Sequence, residues 1–438
     1  IDEAILNGAS AIVVSKDIKE KKVPVIKVKD TNEELPKLCA KFYDYPNKFM
    51  KMIGVTGTDG KTTTSTIIQT LIGKQDCGYI GTNGRSCYKF DESISNTTPD
   101  AYKLYSYLQD FKEAGCKYVA MEASSEAFYR GRLEGLEYDI SIFTNITNEH
   151  LNIHGTFDNY ISCKKKLFEQ TKPLGFCILN KDDSHFEEIK KACRGNVLTY
   201  GKKDADMTIS SFKIMPYKTI IVFNYKNKDY EVESPLLGDF NVYNLAAALL
   251  ACLSLGFKME SLLEKVKELN VDGRLMFLKT NTPYYVMVDY AHTPNGIIHL
   301  LNFVHTLDIN RSIVVIGSAG ERDFLKRPLM GKTVCDNASY AIFTYEDPRS
   351  EDPKDIADML VSDIKSTYKN YEIILDRKEA IERAINIANP KDMVLILGKG
   401  NETYQKLKKE TIYFNDVEEA YKAVKKRENT IVSHEKSV

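Results

Sequence analysis

The sequence predicts an α/β protein of three domains, and two patterns lead to this prediction. Short apolar segments that end in polar residues, such as "YVAMEASS" and "DISIFTNIT", are typical of buried parallel strands. After about residue 270, strand-like and helix-like segments alternate again in "YYVMVDYAH", "RSIVVIGSAG", "SYAIFTYED" and "DMVLILGKG". This second alternation predicts a C-terminal doubly wound, Rossmann-like domain. We place the domains at 1–50, 51–270 and 271–438.

The elements of the first two domains are predicted in chain order. Residues 1–50 alternate helix-like pieces with the short strands "AIVV" and "VPVIKV". "KMIGVTG" predicts a strand that runs into a glycine-rich loop, and "KTTTSTIIQTLIGK" predicts the helix after it. Between about 205 and 233 the pattern changes to three segments typical of antiparallel strands. "NLAAALLACLSLG" then predicts a long helix.

Composition and charge exclude several function classes. The 438 residues include 60 Lys and Arg against 61 Asp and Glu, so the formal net charge of −1 argues against a polybasic surface for nucleic acid or membranes. No apolar run reaches the roughly 18 residues that a membrane helix needs. The nine cysteines are odd in number and form no CxxC pair, which fits reduced thiols in a cytosol. We expect a cytoplasmic monomer that acts on small molecules.

Residues 54–64, GVTGTDGKTTT, predict a phosphate-binding loop. The strict pattern G-x-x-x-x-G-K-[ST] requires glycine at position 55, where this chain has Val55. A strand, small residues and a helix N-terminus nevertheless supply the backbone N–H groups that a triphosphate requires. Lys61 adds a positive charge near the β- and γ-phosphates, and the Thr62 hydroxyl can ligate Mg²⁺. The alternative is a tight strand–helix turn that contains Gly-Lys-Thr without binding a nucleotide.

The shortened spacing of this loop points to a known family. "TGTDGKTTT" closely resembles the phosphate loop of the Mur ligases, the ATP-dependent amide-forming enzymes of peptidoglycan precursor synthesis. The resemblance extends from about residue 3 to 425. It implies an N-terminal UDP-binding domain, which we expect to be incomplete, a central P-loop-type ATPase domain and a C-terminal amino-acid-binding domain. The ATP-binding residues that it implies in the loop are Gly57, Thr58, Asp59, Gly60, Lys61, Thr62 and Thr63.

The family's metal and catalytic positions fall on two further segments. "MEASSEAFYRGRLEG" implies that Glu122 is a Mg²⁺ ligand, and "FTNITNEHLNIHGTFDNYISCKKKLF" implies that His150 binds a metal and that Lys164 is carbamylated. A carbamate turns a cation into an anionic oxygen ligand, which suits a hard metal. Together with Thr62 these residues form the implied metal set, and together with Lys61 they form the implied catalytic set. Taken singly, each also has an ordinary interpretation as a surface carboxylate, a partly buried histidine or a solvated lysine.

Other segments resemble the family's substrate and nucleotide contacts. "NTTPD" and the Glu-x-Ser-Ser stretch imply contacts to a sugar–peptide substrate, at Thr97, Thr98, Ser124 and Arg132. "LLGDFNVYNLAAALL", "VDGRL" and "VDYAHTPNGI" imply contacts to the nucleotide, at Asn241, Asn244, Arg274 and Asp289. For the two asparagines, capping of a helix N-terminus is an alternative role that is compatible with nucleotide binding.

The third domain carries the segments that concern the amino acid. "GSAGERDFLKRPLMG", "YEDPRSEDP" and "GKGNETYQ" resemble the MurE-type ligases, which add the third peptide residue to UDP-N-acetylmuramoyl-L-alanyl-D-glutamate. The amino-acid-binding residues that this implies are Arg322, Glu346, Asp347, Arg349, Gly398 and Glu402. Arg349 favours meso-diaminopimelate, because a guanidinium binds that amino acid's far carboxylate bidentately. Asp347 stands where asparagine is commoner, and it could pair with Arg349 or attract a far ammonium.

The implied reaction joins a carboxylate to an amine by way of an acyl phosphate made from ATP. Four alternatives stay open: the same reaction with L-lysine or another diamino acid, a folylpolyglutamate synthetase-like ligase, a non-enzymatic nucleotide-binding homologue, and a mechanical P-loop NTPase. "NTTPD", "YEDPRSEDP" and "GKGNETYQ" argue against the second alternative. The mechanical NTPase would leave the segments of the third domain unexplained.

Overall fold

The computed structural model describes residues 1–19, 21–147, 149, 151–215, 218–269 and 275–435, with the backbone alone at 151, 152, 215 and 429–435. The chain divides into two compact units. The first unit comprises Ile1–Ser210, Val222–Tyr230 and Tyr243–Val266, and the second comprises Ser211–Ile221, Glu231–Val242 and Lys267–Val438. The predicted α/β class is confirmed in both units. The boundaries of the three predicted domains stay a prediction.

The helices and strands follow the predicted order. Up to residue 201 they are α1 (Asp2–Leu6), β1 (Ile12–Val14), β2 (Val25–Lys27), α2 (Thr31–Phe42), the 3₁₀ helix Pro46–Phe49, β3 (Lys51–Thr56), α3 (Lys61–Ile72), β4 (Cys77–Gly81), β5 (Gly84–Ser86), β6 (Asp91–Glu92), α4 (Ala101–Ala114), β7 (Tyr118–Glu122), α5 (Ser125–Tyr129), β8 (Tyr138–Phe143), α6 (Leu151–His154), α7 (Phe157–Glu169), β9 (Thr171–Asn180), α8 (Phe186–Lys190) and β10 (Asn196–Gly201). The elements from there to residue 266 are β11 (Met207–Met215), β12 (Lys218–Tyr225), β13 (Lys228–Ser234), α9 (Asp239–Ser254) and α10 (Met259–Val266). The remaining elements are β14 (Met276–Phe277), β15 (Tyr285–Asp289), α11 (Pro294–His305), β16 (Ser312–Ile316), α12 (Arg327–Asn337), β17 (Tyr340–Phe343), α13 (Pro353–Leu360), β18 (Tyr371–Ile373), α14 (Arg377–Ile387), β19 (Met393–Leu397), β20 (Tyr404–Lys406), β21 (Thr411–Tyr413) and α15 (Asp416–Glu435). Over the described residues, none of the helices combines the length and the apolar character that crossing a bilayer requires.

The first unit is built on a sheet whose strand order includes β10-β9-β8-β3-β7-β4, all running parallel. β3 lies between β8 and β7, with Ile53 opposite Ile140 on one side and Ala120 on the other. These three strands are almost wholly buried, as expected for a parallel sheet that is covered on both faces. Because their carboxyl ends meet at one edge of the sheet, the residues that follow them lie together there.

The second unit is built on a six-stranded sheet in the order β14-β15-β19-β16-β17-β18. All neighbouring strands run parallel except β14 and β15. Successive residues face opposite sides, so that Val286 and Val288 pack in one apolar cluster with α14 and α15, whereas Met287 packs in another with α11, α12 and α13. This burial on two faces confirms the predicted doubly wound arrangement. The carboxyl ends of β15, β16, β17 and β19 carry the segments that the sequence analysis singled out.

Candidate functional site

The predicted phosphate loop connects β3 to α3, and two of its glycines are required by the packing. Gly57 has φ of 153°, and a Cβ placed there would lie 1.8 Å from Thr144 Oγ1. Gly60 has φ of 84°, in the left-handed region, and a Cβ there would lie 2.4 Å from Asn244 Oδ1. The loop therefore runs against its neighbours at a distance that only glycine permits. The N-terminus of α3 follows immediately at Lys61.

Residues after β8 hold the loop in place. The backbone N–H of Thr58 donates to the Asn145 carbonyl oxygen and that of Asp59 donates to Asn145 Oδ1, both at 2.9 Å. Thr144 Oγ1 donates to the Asp59 carbonyl oxygen at 2.6 Å. The sequence analysis did not assign a role to Thr144 or Asn145, although both lie in the quoted segment "FTNIT" at the end of a predicted strand. Their position at the carboxyl end of a predicted strand could have indicated that they lie near the phosphate loop.

The two predicted catalytic lysines contact the same part of the loop. Lys61 Nζ donates to the carbonyl oxygens of Gly57 at 2.9 Å and Thr58 at 2.7 Å. Lys164, on α7, donates to the same Gly57 oxygen at 2.6 Å, and its Nζ lies 4.4 Å from the centre of the Tyr160 ring. Lys164 is only 1% exposed. Burial, and then the charge of Lys61, lower its pKa well below the usual value for lysine.

Glu122 is fully buried at the end of β7 and accepts several hydrogen bonds. Thr62 Oγ1 donates to its Oε2 at 3.0 Å, while the Tyr79 hydroxyl and the Thr82 N–H donate to its Oε1 at 2.8 and 2.7 Å. Burial and the neighbouring Glu122 carboxylate raise the pKa of Tyr79 well above its usual value. The sequence analysis missed Tyr79 and Thr82, because neither lies in a quoted motif.

The oxygen donors around Glu122 fit a magnesium ion. Mg²⁺ prefers hard oxygen ligands and is commonly held by one or two carboxylates together with hydroxyl, water and phosphate oxygens. A buried carboxylate next to the Thr62 hydroxyl at the end of the phosphate loop supplies this chemistry. His150, the other predicted metal ligand, lies outside the described residues. Among those that are described, no three His, Cys, Asp or Glu side chains form a ready-made metal cluster.

The predicted sugar–peptide contacts lie together beside Glu122. Thr98 Oγ1 donates to the Glu122 carbonyl oxygen at 2.8 Å and accepts from the Ser124 N–H at 3.1 Å. Arg132 donates from Nη1 to the Thr98 carbonyl oxygen at 3.2 Å. Thr97 Oγ1 lies 3.1 Å from the Thr82 hydroxyl, itself bonded to Glu122. Two motifs that are about 25 residues apart in the sequence thus form one surface in the fold.

The predicted nucleotide residues are distributed over both units. Thr63 is buried in the first turn of α3, and in the same unit Asn244 Oδ1 accepts from Thr64 Oγ1 at 3.3 Å. In the second unit, Asn241 Nδ2 donates to the Leu237 carbonyl oxygen at 2.7 Å. Asp289 accepts two backbone N–H groups there, those of residues 275 and 291, each at 2.7 Å. Arg274 lies outside the described residues.

The two arginines predicted to bind the amino acid, Arg322 and Arg349, form no ion pair with carboxylates among the described residues. Arg349 has φ of 53°, and its backbone N–H donates to the Lys406 carbonyl oxygen at 3.0 Å. Its guanidinium takes part in no ion pair with the described residues, and its buried Nε has no hydrogen-bond partner among them. Arg322 is exposed and is likewise in no ion pair within the described part of the chain. An arginine with this freedom is suited to binding an anionic ligand.

Asp347 pairs with a residue that the sequence analysis did not single out. Lys399 Nζ lies 2.8 Å from Asp347 Oδ1 and 2.9 Å from Glu402 Oε2, and the lysine side chain is fully buried. The interpretation that Asp347 pairs with Arg349 is therefore wrong in this structure. Burial alone would lower the pKa of Lys399, but the carboxylates of Glu402 and Asp347 raise it overall. Lys399 stands in "GKGNETYQ" between two predicted site residues, which was the available signal.

Glu346 lies in the same cluster but without a pairing cation in hydrogen-bond contact. It is 8% exposed, its Oε2 has no hydrogen-bond partner among the described residues, and burial raises its pKa. The backbone of Gly398 runs close to it, so that a Cβ at that glycine would lie 2.7 Å from Glu346 Oε2. Gly398 has φ of 110°, which also favours glycine. These two predicted residues therefore lie together, as the resemblance implied.

An ion pair between a fully buried arginine and a partly exposed glutamate connects the two loops that carry Arg322 and Arg349. Arg327 is 0% exposed and holds Glu351 through two hydrogen bonds of 2.7 and 3.1 Å, while its Nη2 also donates to the Ala319 carbonyl oxygen at 3.0 Å. Arginine and carboxylate in this fork-to-fork arrangement give a rigid connection. The sequence analysis missed this pair, because a buried arginine cannot be told from a surface one by its type.

Comparison with known proteins agrees with the resemblance found in the motifs. A family model described as "Mur ligase middle domain" matches residues 55–252, and one described as "Mur ligase, glutamate ligase domain" matches residues 273–400. A Clostridium perfringens protein named UDP-N-acetylmuramoyl-L-alanyl-D-glutamate–2,6-diaminopimelate ligase is 35% identical over 437 residues, covering 96% of this chain and 88% of the relative. A Bacillus cereus protein of the same name is 37% identical over 440 residues, covering 98% and 88%.

A solved structure extends this agreement to the fold. It is titled as the structure of a UDP-N-acetylmuramoyl-L-alanyl-D-glutamate–2,6-diaminopimelate ligase and is 31% identical to this chain. The superposition has a TM-score of 0.67 and covers 98% of this chain and 89% of the solved one. Sequence identity above 30% over nearly the whole length of these proteins shows that they share a common ancestor with this chain. The chain belongs to the Mur ligase family.

Proposed function

We propose that this Mur ligase adds meso-diaminopimelate to the D-glutamate of UDP-N-acetylmuramoyl-L-alanyl-D-glutamate, with conversion of ATP to ADP and phosphate. Two relatives and one solved structure, each covering most of this chain, carry names that state this reaction. The product would be the tripeptide precursor of peptidoglycan. The alternatives of a folylpolyglutamate synthetase-like ligase, a non-enzymatic homologue and a mechanical NTPase have no comparable support.

The observation that carries the choice of amino acid is the guanidinium of Arg349, which pairs with no carboxylate among the residues that the structure describes. Diaminopimelate differs from lysine in a second carboxylate at its far end, and a guanidinium binds a carboxylate through two parallel hydrogen bonds. Arg349 makes no ion pair with the described residues and is held in a fixed backbone conformation. Arg322 supplies a second positive charge from the neighbouring loop. Glu402, with Glu346 beside it, supplies the negative charge that an ammonium group requires.

The nucleotide would be bound by the loop of residues 57–60 and the N-terminus of α3. Backbone N–H groups and a helix N-terminus attract phosphate oxygens, and Lys61 neutralises charge that develops on the transferred phosphoryl group. Thr62 and Glu122 would hold Mg²⁺, together with His150. The ion supplies charge neutralisation for the phosphates.

We also propose that Lys164 is carbamylated. A neutral amine adds to CO₂, and a carbamate and one proton result. Burial keeps the amine of Lys164 neutral more readily than that of an exposed lysine. The resulting anionic oxygens would complete the magnesium ligands.

The reaction would proceed in two steps that conserve atoms and charge. The γ-carboxylate oxygen of the D-glutamate attacks the γ-phosphorus of ATP, and ADP leaves. The neutral α-amine of the diamino acid then attacks the acyl carbon, phosphate leaves with the bonding electron pair, and the nitrogen releases one proton as the amide forms. Thr97, Thr98, Ser124 and Arg132 would orient the sugar–peptide in both steps. Positioning of this kind contributes much of the rate in ligases, because the acyl phosphate reacts with water when it is not protected.

We propose further that the protein is a cytoplasmic monomer and that it acts on small molecules alone. We retain the assignment of 1–50 to UDP binding, 51–270 to ATP binding and 271–438 to amino-acid binding. Asn241, Asn244, Arg274 and Asp289 would contact the adenosine part of the nucleotide.

Phosphate release tests the proposed function. The assay combines the protein, ATP, Mg²⁺ and UDP-N-acetylmuramoyl-L-alanyl-D-glutamate with meso-diaminopimelate, with L-lysine, or without an amino acid. Release that requires diaminopimelate supports the proposal. A preference for lysine would keep the ligase and change its amino acid. Release that is indifferent to both amino acids would contradict the ligase assignment.

A further inference from the structure

Lys399 is the one residue of the amino-acid cluster that contacts two of its carboxylates at once. It follows β19, its side chain is 0% exposed, and its Nζ lies 2.8 Å from Asp347 and 2.9 Å from Glu402. The same Asp347 oxygen also accepts the backbone N–H of Lys406 at 3.3 Å. A buried ammonium in contact with two carboxylates holds both side chains in one orientation.

The ion pair between Lys399 and Asp347 affects which charges surround Arg349. Asp347 lies two residues before Arg349 in the sequence, yet it turns to Lys399 and leaves the guanidinium without a carboxylate partner among the described residues. Glu321, on the loop before α12, accepts hydrogen bonds from the Ser350 hydroxyl and N–H, and these bonds, helped by the nearby charge of Arg349, lower its pKa. Among the described residues, no carboxylate lies within ion-pair distance of the Arg349 guanidinium, which leaves its hydrogen-bond donors for a ligand.

The contact of Lys399 with Asp347 and Glu402 also limits the negative charge that a bound ligand would meet. The Lys399 cation offsets one of the two negative charges of Asp347 and Glu402. The carboxyl group of Glu346 and the buried guanidinium of Arg377 act on the same groups from nearby. Without the lysine, two carboxylates would be unpaired, and the second would either bind Arg349 or attract a second ammonium.

We propose that Lys399 is a positioning residue that determines specificity for the diamino acid, by holding Asp347 away from Arg349 and from the far end of the substrate. This inference rests on the proposed function and deepens it. It explains how a chain with aspartate where asparagine is commoner can still select a far carboxylate. Lys399 itself does not contact the reacting atoms in this account.

A double-mutant cycle on specificity tests the proposal. The quantity measured is the ratio of kcat/KM for meso-diaminopimelate to kcat/KM for L-lysine, in the wild type, Lys399→Met, Asp347→Asn and the double variant. We expect Lys399→Met to lower the ratio at least tenfold, and Asp347→Asn to restore it in that background. In the presence of Lys399, Asp347→Asn should change the ratio by less than threefold. Lys406→Met, the same substitution on β20, should change it by less than twofold.

Three results would overturn the inference. One is a Lys399→Met variant that loses activity toward both amino acids equally, because this is the effect of a merely structural residue. Another is a double variant whose ratio stays as low as that of Lys399→Met. The third is a change of more than tenfold on Asp347→Asn alone, because Asp347 would then act on the substrate directly. This last comparison needs only the wild type and one variant, so it decides the matter even where Lys399→Met does not fold.

Failure of the proposed function can be distinguished from failure of the proposed role of Lys399. A wild type without phosphate release that depends on an amino acid would contradict the ligase itself, and the specificity ratio would then not exist. A wild type that prefers diaminopimelate, combined with any of the three results above, would leave the ligase intact and remove only the role of Lys399. A wild type that prefers lysine would contradict both the choice of amino acid and the neutralisation of Asp347.

Discussion

The two units use charge in opposite ways. In the first unit, Lys61 and Lys164 both contact the Gly57 carbonyl oxygen, and Glu122 is surrounded by hydroxyl and N–H donors. In the second unit, the guanidinium of Arg349 has no ion-pair partner within the described part of the chain, and a buried lysine is shared between two carboxylates. In the proposed nucleotide site, the charged side chains are thus held against the backbone of the phosphate loop. In the proposed amino-acid site, we expect specificity to depend on a few side-chain charges, which single substitutions can change.

The largest effect that would test this contrast is expected at Lys61. Lys61→Ala should lower kcat by about 10³-fold, because the lysine stabilises charge that develops in the transition state. The measurement is phosphate release in the complete reaction. Lys74→Ala is the matched control, since Lys74 follows the other end of α3 and pairs with Asp91 at the surface. Near-normal turnover of Lys61→Ala would contradict the assignment of the phosphate loop to the active site.

Lys164 is expected to have the next largest effect. Lys164→Ala should lower kcat by about 10²-fold, because the proposed carbamate oxygens are lost from the magnesium ligands. Addition of a short carboxylate such as acetate should restore part of the activity. Lys166→Ala, on the same helix and partly exposed, should retain full activity. Carbamylation adds the mass of CO₂, about 44 Da, to the protein. If Lys164→Ala is inactive and is not rescued, and the wild type lacks this added mass under native conditions, the carbamate is contradicted.

Substitution of Arg349 tests whether side-chain charges of the second unit determine the specificity for the amino acid. Arg349→Ala should raise the KM for diaminopimelate about 30-fold and leave the KM for ATP nearly unchanged, because a hydrogen-bonded pair with a charged group contributes about 2 kcal/mol. Arg383→Ala removes an arginine that pairs with Glu372 at the surface of the same unit, and should change neither constant. Equal increases in both KM values would show that Arg349 supports the fold of its loop and not the substrate.

The smallest effect is on stability, and it concerns a buried carboxylate of the first unit that has no role in the site. Burial alone would raise the pKa of Asp139, but hydrogen bonds from Lys172, Lys51 and the Met52 N–H lower it overall. A lowered pKa in the folded state stabilises the protein above the unfolded pKa of about 3.9, and this contribution is lost as the pH falls through the folded value. Asp139→Asn should therefore lower the free energy of unfolding by about 1 kcal/mol at pH 7.

Urea unfolding followed by circular dichroism between pH 7 and pH 4 measures this effect. The difference between the wild type and Asp139→Asn should be constant down to about pH 5 and should shrink only near and below pH 4. Asp308→Asn removes an exposed ion pair with Lys391 and should have no measurable effect. A difference that grows as the pH falls would contradict the assigned direction of the Asp139 pKa.

Much of the fold could be predicted because its signals are local. The segments "KMIGVTG", "YVAMEASS" and "DISIFTNIT" became β3, β7 and β8, and the four apolar segments after residue 270 became parallel strands of one sheet. Apolar runs of this length with polar ends have few other stable arrangements. The polar ends also predicted where the site residues would lie, because parallel strands present their carboxyl ends at one edge. His150 and Arg274 lie outside the described residues, so their assignment stays a prediction.

The partners of the site residues could not be predicted in the same way. Tyr79 and Thr82 contact Glu122 from a segment that carries no quoted motif. Asn145 contacts the phosphate loop from a quoted segment in which its residue type alone did not single it out. Arg327 and Lys399 are fully buried, which is unusual for their residue types and has no mark in the sequence. For Asp347 the sequence left two partners open, and the structure shows a third.

By itself, the sequence determined the α/β class and the strand–loop–helix unit of residues 51–72, and it predicted which charged residues follow the carboxyl ends of the strands. These features depend on residue type and short spacing, which are properties of one segment at a time. Only the tertiary structure decided which charges pair, that Gly57 and Gly60 are enclosed by Thr144 and Asn244, and that Lys399 and not Arg349 holds Asp347. The physical reason is that electrostatic energy depends on distance and burial, and both arise only when segments that are far apart in the sequence pack together.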